Sequence, residues 1–174
     1  MKSIPGILIV LLLALTISCV NSPSAKESVA EETESVAEEN VSFMKSSHHF
    51  VNNPYSPETN PSYLLIRSYP VFAANFGIAA VMGMETSTLI TEEKMKNRFV
   101  LSIIHQGRDF RKLNIEKITL KNKQLQVYYT SEVTIPNVGG VNCHVTVVVD
   151  NCDFDSILFF ENGRPLPDAV IKEL

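Results

Sequence analysis

The stretch Arg98–His105 is apolar at nearly every position, which makes it the clearest secondary-structure signal in the chain. In an extended chain, Phe99 and Ile103 point to one side and Val100 and Ile104 point to the other. A strand that is apolar on both faces is typical of a sheet that is covered on both sides. We therefore expect Arg98–His105 to be the central strand of the protein.

Four stretches after this strand have the alternating or apolar pattern of further strands. They are Ile115–Leu120, Gln124–Thr130, Val141–Asp150 and Ser156–Phe160. The first two predict an antiparallel hairpin, because only the polar turn 121–123 separates them. Residues 131–140 contain Pro136 and Gly139-Gly140 and predict a long loop.

Short elements are predicted ahead of the central strand. Tyr63–Arg67 predicts a strand, and Pro70 begins a short helix that ends at Gly77. We expect Ile78–Met82 to pack in the core and Thr91 to cap a helical turn just before the central strand. Together these patterns predict a mainly β (α+β) protein: a small antiparallel β sandwich or open barrel with one or two short helices.

Residues 1–18 have the features of an export signal. Lys2 is followed by the apolar core Ile4–Ile17, which is too short to span a bilayer, since a spanning helix needs ~20 residues. The boundary between Ser18 and Cys19 resembles the cleavage box of bacterial lipoproteins, and this resemblance implies a lipid on Cys19. The alternative is ordinary cleavage after Ser18, which leaves a free thiol at Cys19.

Composition divides the rest of the chain into three parts. Residues 19–45, with six Glu and two Lys, predict a lipidated cysteine followed by an acidic, disordered tether. Residues 46–62 hold three prolines and three asparagines and predict an irregular lead-in. Residues 63–174 predict a single β-rich globular domain. The acidic stretch after Cys19 also loosely resembles the surface-export signal of Bacteroidetes lipoproteins, which implies exposure at the cell surface.

Cys143 and Cys152 are not expected to form a disulfide. If Val141–Asp150 is one straight strand, Cys143 and Asp150 are ~23 Å apart at ~3.3 Å per residue. The two further residues to Cys152 recover only ~7 Å, whereas a disulfide needs Cα atoms within ~7 Å of each other.

The sequence lacks the motifs of nucleophilic, phosphate-binding and zinc-dependent enzymes. We therefore predict no catalytic residues, no metal and no cofactor, in a protein that is not an enzyme. One alternative is a metal or acid–base site in which His105 and His144 meet across a sheet, joined by Asp109 or Asp150.

Positive charge is concentrated around the predicted hairpin. Arg108, Arg111, Lys112 and Lys117 are candidates for docking to an acidic protein partner, and the alternative is a solvated face. Residues 46–174 carry twelve basic and thirteen acidic side chains, a net charge of −1. A nucleic-acid-binding domain usually has an excess of basic residues, which this part of the chain lacks, so we expect no nucleic-acid partner.

The order of the predicted elements resembles the PrcB C-terminal-like domain of small secreted bacterial lipoproteins. The shared pattern is a helical turn, the strand Arg98–His105, a turn at Gly107, the hairpin Asn114–Thr130 and two final strands. It covers roughly residues 90–166, and Gln106–Phe110 stands where the family typically has Thr-Gly-Gly-Tyr. The resemblance implies association with a protease complex and brings no catalytic residues.

We therefore expect a cell-envelope lipoprotein that is held in the bacterial outer membrane by a lipid on Cys19 and acts as a protein-binding module. Modulation of an extracytoplasmic protease is the role that the family resemblance implies. The alternative is a surface lipoprotein that binds a carbohydrate or small ligand through the Gly139-Gly140 loop and exposed tyrosines such as Tyr128.

Overall fold

Two five-stranded sheets packed face to face form the architecture in the computed structural model, which describes residues 37–52, 59–79 and 86–174. The described residues belong to one compact unit. The prediction of a mainly β protein with one or two short helices is confirmed, and of the two predicted architectures, sandwich or open barrel, the structure has the sandwich. The predicted export signal, Cys19 and the tether before residue 37 lie outside the described residues.

The elements before residue 98 are short, the four strands from residue 98 to residue 150 are long, and the last three strands are short again. The strands are β1 (Glu39–Asn40), β2 (Phe43–Lys45), β3 (His49–Val51), β4 (Ser62–Ile66), β5 (Phe76–Ile78), β6 (Arg98–Gly107), β7 (Phe110–Lys121), β8 (Gln124–Ile135), β9 (Val141–Asp150), β10 (Ser156–Glu161), β11 (Arg164–Leu166) and β12 (Ile171–Glu173). The helices are α1 (Tyr69–Asn75) and α2 (Glu92–Met95), and a 3-10 turn spans Thr86–Thr88.

One sheet, the hairpin sheet, has the order β1-β7-β8-β10-β11, and the other, the central sheet, has the order β12-β4-β6-β9-β2. A separate two-stranded ribbon is formed by β3 and β5. Most neighbours are antiparallel, but β10 runs parallel to β8 and β12 runs parallel to β4. No helix in the described part of the chain is long and apolar enough to cross a membrane.

The prediction that Arg98–His105 is the central strand is confirmed, because β6 is the third of five strands and both of its faces are buried. Phe99 and Ile103 belong to the core between the two sheets, together with Tyr129 of β8. Val100 and Ile104 belong to a second core that lies on the other face of the central sheet. A strand covered on both faces needs apolar side chains at consecutive positions, as the sequence has.

The prediction of an unstructured segment up to Lys45 is wrong for its last part. β1 pairs with β7 at the edge of the hairpin sheet, and β2 pairs with β9 at the edge of the central sheet. Between them, the Val41 amide donates to the Ile118 carbonyl at 2.9 Å. These strands were not recognised in the acidic sequence, because only Val41, Phe43 and Met44 in this described segment pack against the two cores, and edge strands this short have a weak pattern. The ordered domain therefore begins well before residue 63.

The irregular lead-in predicted for residues 46–62 is also partly wrong. β3 pairs with β5 in the antiparallel ribbon, and Val51 is buried at its end. Ile78, which was expected in the core, lies on β5 with an exposed side chain, and residues 80–82 lie outside the described residues. The ring of Phe50 lies across Gly77 on the paired strand, where a Cβ atom would collide with it.

The loop predicted for residues 131–140 is shorter than expected, because β8 continues to Ile135. Pro136 ends the strand, as its missing N–H and fixed φ would suggest, but the residues before it remain paired with β7. The polar turn is confirmed: Asn122 and Lys123 both have positive φ, as a two-residue hairpin turn requires.

The two cysteines of the domain are free, as expected from a full-length β9. Cys143 is buried, and its Sγ accepts a hydrogen bond from the Arg111 amide at 3.1 Å. Cys152 is partly buried against the core, and burial raises the pKa of its thiol. Both therefore contribute as small apolar side chains, and the raised pKa of Cys152 is the opposite of what a reactive cysteine needs.

Candidate functional site

The strongest candidate for a functional surface is the corner where the chain passes between the two sheets. A connection of only two residues, Arg108 and Asp109, joins β6 to β7, and residues 136–140 join β8 to β9. Main-chain and side-chain hydrogen bonds hold the two connections together. They are Val138 N to Arg108 O (2.8 Å), Asn137 N to Asp109 Oδ1 (3.0 Å) and Thr134 Oγ1 to Phe110 O (3.2 Å).

This corner exposes four large apolar side chains. Their exposed fractions are 48% for Phe110, 41% for Val133, 54% for Ile135 and 45% for Val138. All residues from 132 to 140 are exposed, so the other described residues leave this face open. An exposed cluster of apolar side chains rimmed by polar ones is typical of a protein-interaction surface. We call these four residues, with Arg108 and Lys112, the apolar corner.

The structure divides the four basic residues that the sequence predicted as a docking patch. Arg108 and Lys112 are exposed at the apolar corner and form no ion pair among the described residues. Arg111 points toward the space between the sheets, where its guanidinium donates to Ser131 Oγ at 3.2 Å. Lys117 lies further along β7 and forms an ion pair with Glu38 at 3.2 Å. Of the four, only Arg108 and Lys112 therefore have no ion pair or side-chain hydrogen bond in the described part of the chain, although Glu132 lies directly opposite Lys112 on β8.

Lys117 is also part of a stack on the outer face of the hairpin sheet. Its ammonium lies 4.2 Å from the centroid of the Tyr128 ring, and the ring of Phe160 stacks on Tyr128 at 4.4 Å and 11°. Because β7 and β10 flank β8 on opposite sides, the two neighbours cover opposite faces of the tyrosine ring. Tyr128 therefore has no free face for stacking against a sugar ring.

A polar cluster lies in the core at one end of the sandwich. The hydroxyls of Tyr63 and Tyr129 are 2.9 Å apart, and both residues are buried. Burial raises the pKa of both phenols, and the carboxylate of Glu161 raises them further. Above them lies an open cleft of about 470 Å³ that is lined in part by Asn60, Tyr63, Glu161, Leu166 and Asp168.

His105 points into the space between the sheets near this cluster. Burial and the nearby Arg111 guanidinium lower the pKa of the imidazole, while Glu161 and Asp109 act in the opposite direction. The buried Nδ1 atom has no hydrogen-bond partner among the described residues. The ring is thus held neutral near pH 7 by its surroundings.

The hypothesis that His105 and His144 meet across the sheet is wrong. His105 lies directly opposite Cys143, whereas His144 lies opposite Ile104. Directly paired residues share a face and successive residues alternate, so the two histidines lie on opposite faces of the central sheet. The predicted link through Asp150 fails as well, because this carboxylate pairs with Arg98 at 2.7 Å. No group of three or more His, Cys, Asp or Glu in the described ranges is placed to hold a metal ion.

The apolar members of the corner were missed at the sequence level. The signal is present as Val133 and Ile135, which continue the alternation of β8 beyond the stretch that was assigned to it. Comparison of the chain with protein-family models, with curated proteins and with solved structures finds no match.

Proposed function

We propose that this protein is a cell-envelope lipoprotein whose β sandwich binds another protein through the apolar corner. The observation that carries the proposal is the joint exposure of Phe110, Val133, Ile135 and Val138 beside Arg108 and Lys112, two cations without an ion-pair partner among the described residues. Apolar anchors with a charged rim are the usual composition of a protein-binding surface. The partner is expected to present an apolar patch with acidic residues at its edge.

Two features of the sequence support the cellular setting of this proposal. The lipoprotein-like box at Cys19 supports a lipid anchor in the bacterial outer membrane. The resemblance to the PrcB C-terminal-like domain supports a protease complex as the partner, with the domain as its modulator and not as an enzyme.

A small-ligand function is the second candidate, and the cleft beside Tyr63 and Glu161 favours it. The cleft combines apolar walls with a few polar groups, as small-molecule sites do. The carbohydrate site once expected around Tyr128 is not favoured, because both faces of that ring are covered. A glycan array and a small-molecule screen without hits would leave this candidate without support.

The test of the main proposal is crosslinking and co-purification of the tagged full-length chain from its own host. We expect one envelope protein to be recovered near stoichiometry with the natural chain and lost with the Arg108→Glu/Lys112→Glu variant. The control is Lys121→Glu/Lys123→Glu, which reverses two charges at the opposite end of the same hairpin.

Two results would contradict the proposal in different ways. If no protein is enriched with the natural chain, the protein-binding function is wrong under those conditions. If the partner is retained by both Arg108→Glu/Lys112→Glu and Phe110→Ser/Ile135→Ser, protein binding stands but the apolar corner is not the contact surface.

A further inference from the structure

The ribbon of β3 and β5 stands apart from the two large sheets. In the described part of the chain it pairs with no strand of either five-stranded sheet. Its main-chain hydrogen bonds, such as Ala79 N to His48 O at 2.8 Å and Asn52 N to Asn75 O at 2.9 Å, join its own strands and their flanking residues. An isolated two-stranded ribbon is marginally stable in water. The ribbon therefore depends on the side chains that pack it onto the central sheet.

The inner face of the ribbon combines apolar residues with one histidine. Val51 and Phe76, which lie directly opposite each other, are buried in the second core. His49 is also buried, with 8% of its surface exposed. The ring of Phe72 in α1 lies against the imidazole at a centroid distance of 5.1 Å and an angle of 85°. His49 is thus a titratable group inside an apolar contact.

The side chain of His49 connects the ribbon to the residues just before α2. The Ile90 amide donates a hydrogen bond to His49 Nε2 at 3.1 Å, and Ile90 is itself buried. Because Nε2 accepts this bond, the neutral ring carries its proton on Nδ1, which is buried and has no hydrogen-bond partner among the described residues. A proton on Nε2 would remove the acceptor and leave the Ile90 amide unpaired in the core, which is costly.

The charges around His49 oppose a second proton on the ring. They come from His48 on the same strand, from Lys94 in α2 and from His144 on β9, and none of them is a carboxylate in the described part of the chain. The sequences of β5 and α1 contain no charged side chain. Burial is the main cause that lowers the pKa of His49, and the Gly77 carbonyl acts in the opposite direction.

We propose that the ribbon is a pH-responsive cover of the central sheet, which opens when His49 takes up a proton. Opening places the charged ring in water and ends its contact with the buried Ile90 amide. It also uncovers apolar residues of β6 such as Ile104, which lies directly opposite His144 on the covered face. An apolar surface would then be available in acid that is covered at neutral pH. The inference does not rest on the proposed function, because the apolar corner takes no part in it.

Acid favours the open ribbon because opening exposes His49 to water. The exposed ring binds a proton near pH 6.5, whereas the buried ring binds one only at a lower pH. The closed form is therefore fully favoured above pH 6.5. Below pH 6.5 the opening equilibrium shifts by about tenfold per pH unit, until the pH reaches the pKa of the buried ring. His144 adds a similar shift where opening exposes its imidazole as well.

The test is hydrogen exchange of single amides, followed by NMR on the full-length chain at pH 7.5 and pH 5.5. Rates are corrected for the pH dependence of exchange in an unfolded chain. The reporters are the Ile90 and Ala79 amides, and the reference is Val127 of β8. We expect both reporters to be less protected than Val127 at each pH, because local opening leaves the two sheets intact. Their protection should fall by at least about tenfold between the two pH values. Equal protection of reporters and reference would overturn the proposal.

Three variants assign the change to His49. His49→Gln offers an amide oxygen to Ile90 but does not titrate, so its fall in protection should be about tenfold smaller than in the natural chain. His49→Ala removes the acceptor and should give low protection at both pH values. His105→Gln is the control, because it removes a histidine on the other face of the central sheet, and it should show the natural fall. An equal fall in the natural chain and His49→Gln, or its loss in His105→Gln, would overturn the proposal.

A measurement on the natural chain does not depend on the folding of a variant, which circular dichroism reports. Nitrogen-15 NMR of the imidazoles should show the His49 proton on Nδ1 at pH 7.5. As the pH is lowered, protonation of this ring and loss of protection at the Ile90 amide should occur together. A proton on Nε2 at pH 7.5, or a protonated ring with the Ile90 amide still protected, would overturn the proposal.

Discussion

The hydroxyl groups of Tyr63 and Tyr129 lie 2.9 Å apart and connect the two sheets inside the core. Tyr63 belongs to β4 of the central sheet and Tyr129 to β8 of the hairpin sheet. The pair is buried, and the ring of Phe159 packs against Tyr63 at a centroid distance of 4.2 Å. A buried hydroxyl needs a partner, because its lost hydration is otherwise not replaced.

We expect Tyr63→Phe and Tyr129→Phe each to reduce the free energy of unfolding by about 1–2 kcal/mol, because each leaves the other hydroxyl without this partner. The double variant should lose less than the sum, since neither buried hydroxyl remains. Urea unfolding of the four proteins measures the coupling. Strictly additive losses would mean that the two hydroxyls do not stabilise each other.

Asn162 offers a second prediction, because one side chain bonds both main-chain groups of Ser131. Its φ is also positive, at 50°, so a substitution changes side-chain bonds and backbone strain together. Asn162→Gly removes the side-chain hydrogen bonds and adds no strain, because glycine adopts a positive φ readily. Asn162→Ala removes the same hydrogen bonds and also strains the backbone. We expect thermal unfolding to show a loss of about 1–2 kcal/mol for glycine and a larger loss for alanine. A neutral glycine variant would show that the bonds to Ser131 contribute nothing.

The N-terminal strands give a third prediction. Deletion of the chain through Lys45 removes β1 and β2 together with Phe43, which packs against the core. We expect a loss of at least ~2 kcal/mol in the free energy of unfolding, the value of burying one phenylalanine. Deletion through Val36 removes none of the described residues and is the control. Equal stability of the two shortened chains would show that these strands do not stabilise the sandwich.

Acid should destabilise the protein through His49, which is buried, and through His105 and His144, which are half-buried. Burial is the largest cause of a lowered pKa at His49, His105 and His144. The unfolded chain binds protons near pH 6.5 while the folded chain does not, so the stabilising contribution is complete above pH 6.5 and is lost as the pH falls below it. The loss has a limiting slope of about 1.4 kcal/mol per pH unit for each histidine.

His144→Gln isolates one of these groups. Its imidazole lies under the ribbon, with its ring centroid 5.9 Å from that of Phe76, and the nearby His49 lowers its pKa further. We expect the variant to lose less stability than the natural chain between pH 7 and pH 5, as measured by urea unfolding at each pH. His48→Gln is the control, because His48 precedes β3 and is less buried than His49. Parallel pH profiles for the natural chain and His144→Gln would exclude a role for this imidazole.

The strands with a long or two-sided apolar pattern could be predicted from the sequence. β6 and β9 were predicted at nearly their full length, because burial on both faces requires many apolar residues in succession. β1, β2 and β3 could not be predicted, since strands of two or three residues bury at most two side chains each. The partner strand of each is determined by the tertiary structure, and the local sequence pattern does not predict it.

The functional surface was predictable only in part, because it depends on register. The sequence identified Arg108 and Lys112 but grouped them with Arg111 and Lys117, which the pleat and a bulge between Ile115 and Lys117 turn to other partners. Proximity along the sequence therefore did not mean a shared surface. The register between β6 and β9 likewise could not be predicted from the sequence. This register places His105 and His144 on opposite faces of the central sheet.

The path of residues 39–45 has a mechanical consequence. The consecutive strands β1 and β2 pair with the edges of different sheets. Between them, the Ser42 carbonyl accepts a hydrogen bond from the Asp150 amide at 3.0 Å. A force applied at the N-terminus is therefore borne first by the hairpin sheet and then by the central sheet, before it reaches the long strands. A pull from that end therefore acts on two short strand pairings, of two and three residues, before it acts on the rest of the sandwich.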